Sequence, residues 1–367
     1  MNVFHIITTI EIGGAENQLL LLAQEQITLG NNLTIIPLKG KATLQSEFEK
    51  CGAKVYKNLL NRNFLMQIWI LRKIIKSEKS RNTILHAHLP QAELALRFAS
   101  PKGFAIVNTR HFGGNFYPNK MNFISAMLGR ISSKKASRVI GISDAVVDIL
   151  YRNNEVFNRN KITRIYYGFS ERRFEQSNEN IDVKGSSEII IGSIARLSPE
   201  KDLVTLLKAF AEFRNSQNNA RLRILGDGPD RNALKDMSRT LGIEKSIDWL
   251  GKKRNILPYL KNFDVFVLTS KFEGFGMVLL EAMYASTKIV CARNSAIIEV
   301  IGVGNAGLYF ETSNSKDLSQ KLKESLGTNI NDIRSYQLER LKFFSINKCA
   351  QNHQVLYRDI LSETNNV

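Results

Sequence analysis

Two glutamates eight positions apart, Glu273 and Glu281, bracket the stretch EGFGMVLLE and are well suited to grip hydroxyls at two places on a long ligand. An apolar run, Val265 to Leu268, predicts a buried strand before them, and Met277, Val278, Leu280, Met283 and Tyr284 follow at helical spacing. Gly274 and Gly276, on either side of Phe275, let backbone N–H groups face outward from the start of that helix. Unpaired donors and the helix dipole favour an anion there, so the turn reads as a phosphate or diphosphate site. Glu281 is expected about two turns into the helix, which sets the carboxylates at different heights rather than as a catalytic dyad. Taken singly, Glu273 could equally serve the helix dipole and Glu281 a solvated surface.

A second pair of charges fits the same anion. Arg196 ends a predicted strand, EIIIGSIA, and Lys201 falls in the first turn after Ser198 and Pro199. Two cations five residues apart across such a turn can converge on one diphosphate and stabilise charge developing on a leaving group. LRILGDGPDRNAL adds a strand and turn with Gly226 and Gly228. Asn232 and Ala233 follow where a dinucleotide fingerprint would carry its third glycine, which weakens a nicotinamide-cofactor reading. Near the start, Gly13 and Gly14 open a helix after the first strand, a turn that serves either packing or a ligand crevice at the carboxyl ends of the strands. His86 and His88 lie in ILHAHLP. They are read as pointing to opposite faces of a strand with no local Asp or Cys, which favours hydrogen-bonded histidines over a metal site. His111, followed by two glycines, is expected at the exposed carboxyl edge of the next strand.

The elements that must carry these residues alternate strand and helix, the pattern of a doubly wound sheet. Predicted first-half strands are 3–7, 33–37, 83–87, 105–108, 139–142 and 162–165. A chain of 367 residues exceeds one ordinary core. The polar stretch 171–187 is the expected linker between a domain at 1–170 and a second at 188–345, with a terminal helix at 346–367. The net charge of +17 is uneven: residues 1–175 hold 25 Lys and Arg against 12 Asp and Glu, and residues 176–367 hold 26 against 22. Nucleic acid, an anionic membrane or an acidic substrate could account for that bias. Residues 119–138 pair Met121, Phe123, Ile124, Met127, Leu128 and Ile131 with basic flanks, which suits either a helix lying on anionic lipid or a core-facing helix with a basic outer side. The basic clusters lack interleaved aromatics, which argues against nucleic acid. Three widely spaced cysteines, no basic leader and no spanning apolar run lead to the expectation of a cytoplasmic protein.

The E-x7-E spacing, with EGFG at its start and EAM at its end, together with Arg196 and Lys201 as an R-x4-K element, resembles the donor site of the retaining glycosyltransferases of family 4. The resemblance covers nearly the whole chain and is strongest from Glu188 to Phe310. It implies an α/β fold of the GT-B type, two facing Rossmann-like domains with a cleft between them and a terminal helix crossing back. It also implies transfer from a UDP-, GDP- or ADP-sugar without a metal or other cofactor. Arg196 and Lys201 would hold the diphosphate and Glu273 the sugar hydroxyls, while Glu281 would hold the ribose. Gly13, Gly14, Gly226, Gly274, Phe275 and Gly276 would line the donor. His111, or His88 if the alignment shifts, would lie beside the transferred sugar. The acceptor would be a lipid-linked glycan of a bacterial surface polysaccharide, reached from the inner face of the membrane. After Glu281 the pattern departs: Ser286, Thr287 and Lys288 stand where the family has glycine and proline. A nucleotide-sugar 2-epimerase of the same fold and a basic nucleic-acid-binding protein are the alternatives.

Overall fold

The computed structural model describes residues 1–78, 80, 82–114, 116–117, 122–174, 188–302 and 306–365. The chain forms two compact units, one from Met1–Ser170 with Phe344–Val367 and the other from Glu171–Phe343.

Strands of the first unit are β1 (Asn2–Ile7), β2 (Asn32–Pro37), β3 (Lys54–Val55), β4 (Thr83–His88), β5 (Ala105–Arg110), β6 (Arg138–Gly141) and β7 (Ile162–Arg164). They form one sheet ordered β3-β2-β1-β4-β5-β6-β7, and every pairing is parallel. β4 and β5 are buried at every position, as strands covered on both faces must be. The helices are α1 (Gly14–Thr28), α2 (Gln45–Lys50), α3 (Phe64–Ser77), α4 (Pro90–Ala99), α5 (Asn122–Ser133) and α6 (Asp144–Arg152).

In the second unit the strands are β8 (Ile189–Ile194), β9 (Ala220–Leu225), β10 (Ile247–Gly251), β11 (Val265–Leu268), β12 (Lys288–Ala292) and β13 (Leu308–Phe310), ordered β10-β9-β8-β11-β12-β13 and again parallel. Its helices are α7 (Leu203–Arg214), α8 (Arg231–Thr240), α9 (Leu257–Asn262), α10 (Met277–Tyr284), α11 (Ser295–Ile301), α12 (Ser315–Gly327) and α13 (Ile330–Phe343). The final helix, α14 (Ile346–Asn365), belongs to the first unit, where it packs on α1 and buries Tyr357 and Ile360 in the same core as Val3 and Leu22. Of the expected linker, Glu171–Phe174 form a 3-10 turn within the second unit, and residues 175–187 lie outside the described residues.

Both sheets reverse strand order beside their first strand, between β1 and β4 and between β8 and β11. Loops leaving the carboxyl ends of those neighbours splay to opposite sides and leave a crevice, the usual ligand position in open α/β sheets.

Candidate active site

In the second unit the crevice brings together residues that are far apart in sequence. β8 and β11 are direct neighbours, so the loop after β8 and the loop after β11 meet. Lys201 Nζ donates to Glu273 Oε1 at 2.7 Å, and Ser270 Oγ donates to the same oxygen at 2.7 Å. The Thr269 hydroxyl donates to the Lys201 carbonyl at 2.7 Å, and the Lys271 N–H donates to the Glu200 carbonyl at 2.8 Å, so the loops are stitched along their length. Arg196 stands exposed above them and makes no ion pair among the described residues. The backbone at Lys201 is fixed by Asp202, which adopts φ 48° and whose buried carboxylate accepts from Thr205 Oγ1 at 2.9 Å and Ser313 Oγ at 2.7 Å. A non-glycine residue held at positive φ by several hydrogen bonds is a strained position that the surrounding structure enforces. Sequence places Lys201 and Asp202 in the first turn of a helix, whereas Pro199–Lys201 form a 3-10 turn and α7 begins only at Leu203, because nothing local announces the left-handed conformation of Asp202.

Gly226 and Gly228 serve the loop that bears Arg196. At Gly226, with φ 131°, a Cβ would lie 1.8 Å from the Ala195 carbonyl oxygen; at Gly228 it would lie 2.3 Å from that of Leu197. Backbone bonds Ala195 N–H to Leu225 O before Arg196, and Leu197 N–H to Asp227 O and Asp230 N–H to Leu197 O after it, hold the loop on either side of Arg196.

The turn after β11 keeps Phe275 buried and Gly276 left-handed at φ 90°, as N-cap of α10. The helix starts at Met277, so Glu281 sits just over one turn into it rather than two. Glu281 is 3% exposed and is held by the Arg173 guanidinium, so it is not a solvated helix residue. Arg173 comes from the 3-10 turn Glu171–Phe174, whose Phe174 ring stacks on Tyr284 of α10 at 5.8 Å. It was not singled out from sequence, since ERRF falls in the polar stretch read as the linker.

In the first unit Gly13 is the N-cap of α1, and a Cβ on it would press on the Glu16 carboxylate at 2.3 Å; a Cβ on Gly14 meets nothing within 4 Å. Burial pushes the Glu16 carboxyl up, while the Thr9 hydroxyl donates to it at 2.6 Å. His86 and His88 do not lie on opposite faces. Residues two apart in a strand share a face, and their ring centroids are 4.2 Å apart. His111 follows β5, and both its nitrogens are engaged, Nε2 with His88 Nδ1 at 3.1 Å and Nδ1 with the Tyr167 hydroxyl. Burial, followed by the Arg110 charge, pulls the His111 imidazole down to about 3, so the ring is neutral.

Phe123, Ile124 and Met127 of α5 are exposed, whereas Ser125, Ser132 and Ser133 on its other side are buried. Residues 119–121 lie outside the described residues.

Two parallel-sheet Rossmann-like units, with an Arg, a Lys and a Glu gathered at a switch point, define an α/β protein of the GT-B glycosyltransferase class. The solved structure of HepE from Anabaena with UDP and glucose shares this fold, with a TM-score of 0.81 at 17% identity over 98% of this chain and all of that one. The family described as Glycosyltransferase Family 4 matches residues 12–173, and that described as Glycosyl transferases group 1 matches residues 175–335. The chain belongs to these glycosyltransferases. The N-acetyl-alpha-D-glucosaminyl L-malate synthase of Bacillus anthracis is 27% identical over 248 residues, 65% of this chain and 63% of that protein. The N,N'-diacetylbacillosaminyl-diphospho-undecaprenol alpha-1,3-N-acetylgalactosaminyltransferase of Campylobacter jejuni is 27% identical over 281 residues, 74% of this chain and 69% of that protein.

Proposed function

We propose that this glycosyltransferase moves a sugar from a nucleoside diphosphate sugar, UDP-linked in the first instance, to a hydroxyl on a lipid-linked glycan, with retention at the anomeric carbon and without a metal. The observation that carries the donor site is the convergence of Lys201, Glu273 and Ser270 at the β8–β11 switch point, beside exposed Arg196. Arg196 and Lys201 would neutralise the diphosphate and the charge that grows on it as the glycosidic bond breaks, with the first-turn N–H groups of α10 adding to them. Glu273, already anchored by Lys201, would accept from sugar hydroxyls, and Glu281, anchored by Arg173, from the ribose. Both carboxylates are tied to cations, which suits holding a ligand better than nucleophilic attack. The acceptor hydroxyl would therefore attack on the face from which the diphosphate departs and pass its proton to the leaving phosphate oxygen. UDP is the base to try first because HepE was solved with UDP and glucose.

For the acceptor, a lipid carrier is favoured by α5. A core-facing amphipathic helix would bury Phe123, Ile124 and Met127, whereas here the small serine face is buried and these side chains face outward. α3, which packs on α4 as α5 does, exposes Leu65, Met66 and Trp69, and Arg72, Arg97 and Lys102 crowd Lys135 closely enough to pull its ammonium down, second to the effect of burial. Apolar side chains among clustered cations fit an anionic bilayer surface. The Campylobacter relative, by its name, acts on an undecaprenol diphosphate.

The deciding experiment is a thermal-shift titration with UDP, GDP, ADP, NAD and a short oligonucleotide on the wild type, Arg196→Ala and Glu281→Ala. A ligand at 100 times its Kd stabilises by about 2.7 kcal/mol. A shift with one nucleoside diphosphate that both substitutions abolish supports the donor site. A shift with only NAD or the oligonucleotide refutes it. Product anomer by NMR, with and without EDTA, then tests retention and metal independence.

A further inference from the structure

All five histidines of the chain, His5, His86, His88, His111 and His353, lie together inside the first unit. Topology puts them there. His5 of β1 pairs in register with His86 of β4, His88 pairs with Thr109 of β5, and α14 lays His353 and Tyr357 against them. His5, His86 and His88 offer nitrogens within 4.8 Å of one another, the outline of a metal site. Each of those six nitrogens already has a hydrogen-bond partner, so a cation would have to break bonds that satisfy the cluster without it.

The bonds form a directed row. A neutral imidazole has one donor and one acceptor nitrogen, so fixing one ring fixes the next. The Gln26 carbonyl oxygen meets His5 Nε2 at 2.8 Å and can only accept, so His5 carries its proton on Nε2. His5 Nδ1 must then accept from His88 Nε2 at 2.9 Å, and His88 Nδ1 from His111 Nε2 at 3.1 Å. His111 Nδ1 is left as an acceptor, and the Tyr167 hydroxyl donates to it. The Gln26 amide nitrogen, 3.3 Å from the Tyr357 hydroxyl, fits the same orientation. The inner end is a dead end for proton transfer, because an amide oxygen accepts a hydrogen bond but takes no proton at ordinary pH.

We propose that Gln26, His5 and His88 are positioning residues that lock His111 as the Nε2–H tautomer, so that its Nδ1 lone pair is offered to a hydrogen-bond donor, a substrate hydroxyl taking the place of the Tyr167 hydroxyl. The role assigned to that hydroxyl rests on the glycosyltransferase reading; the lock itself does not. A site built this way receives a sugar or acceptor hydroxyl and discriminates against a carbonyl or phosphate oxygen, which would face lone pair to lone pair. Pulled well below the usual histidine range by burial, the rings keep this arrangement across neutral pH.

The test is ring-nitrogen NMR of the ¹⁵N-histidine-labelled full chain, in the wild type, Gln26→Glu and Gln26→Met. His5, His88 and His111 are expected as Nε2–H in the wild type and in Gln26→Glu, whose carboxylate also only accepts. Gln26→Met removes the acceptor, so a mixture of tautomers is expected, with KM raised about tenfold and kcat little changed, and Gln26→Glu restores KM. Tenfold corresponds to about one net hydrogen bond. Nδ1–H at His111 in the wild type, or an unchanged spectrum in folded Gln26→Met, overturns the lock. So do shifts at His5, His86 and His88 on adding Zn²⁺, which would make the cluster a metal site. If the tautomers follow Gln26 while KM does not, the positioning role is overturned. The spectra are read on the free chain, so failure of the donor reading, seen as no response to UDP, leaves them intact.

Discussion

Lowering the pH toward 5 should destabilise the first unit through its buried histidines. His5 and His353, each pulled by burial to about 4, and His111, pulled to about 3, are neutral in the fold, whereas an unfolded histidine titrates near 6.5. The sign follows from proton counting. Between these values the unfolded chain holds more protons than the folded one, so stability is intact above 6.5 and drains away as pH falls toward 4. At pH 5 an unfolded histidine is almost wholly protonated and a folded one at about 4 almost wholly neutral, a difference of about 2 kcal/mol for each ring. The three rings together give about 6 kcal/mol on that basis, and His86 and His88 act in the same direction. Glu93 opposes them. Burial, partly offset by Arg110, pushes its carboxyl up to about 7, so its buried charge is relieved on acidification. Burial raises the Glu16 and Glu155 carboxyls as well, which oppose in the same sense, so the net expectation is a loss on the order of a few kcal/mol between pH 8 and pH 5, a large share of a typical domain's stability. Urea denaturation followed by circular dichroism at fixed pH measures it, and Glu93→Gln should steepen the loss. Unfolding free energy that stays level or rises from pH 8 to pH 5 would refute the neutral-cluster reasoning.

Gly226→Ala places a Cβ 1.8 Å from a carbonyl oxygen at φ 131°, so a loss above about 2 kcal/mol and weakened UDP binding are expected by denaturation and calorimetry. Gly14→Ala, with nothing within 4 Å, should instead match or raise the melting temperature. Lys201→Met removes the cation that pairs with half-buried Glu273 and leaves it the Ser270 hydroxyl as a hydrogen-bond donor, so kcat for sugar transfer should fall at least about tenfold while circular dichroism stays unchanged; wild-type kcat would count against the donor site. Phe123→Ser with Met127→Ser should cut cosedimentation with phosphatidylglycerol vesicles at least about tenfold and leave UDP binding alone; equal binding would remove α5 from the membrane reading.

Much of the proposed donor site was legible in the sequence because its signals are local. EGFG announces a strand-to-helix turn, and apolar runs such as VFVL show where parallel strands lie, since a strand buried on both faces has no polar alternation to hide it; SPEK, read as a helix start, is a 3-10 turn with α7 beginning at Leu203. The short β3 and β13 were absent from that reading. What needed tertiary structure were partnerships across strand order. Lys201 meets Glu273 only because β8 and β11 are neighbours, seventy-two residues apart in the chain. Arg173 reaches Glu281 from a turn that sequence assigned to a linker, and Asp202 takes a left-handed conformation that its residue type does not require. The histidines make the point most sharply. Sequence supplied five scattered rings and an error about two of them, while parallel register and a returning terminal helix made them one cluster in which His5, His88 and His111 form a row, because hydrogen-bond direction passes from ring to ring only where the fold sets them side by side.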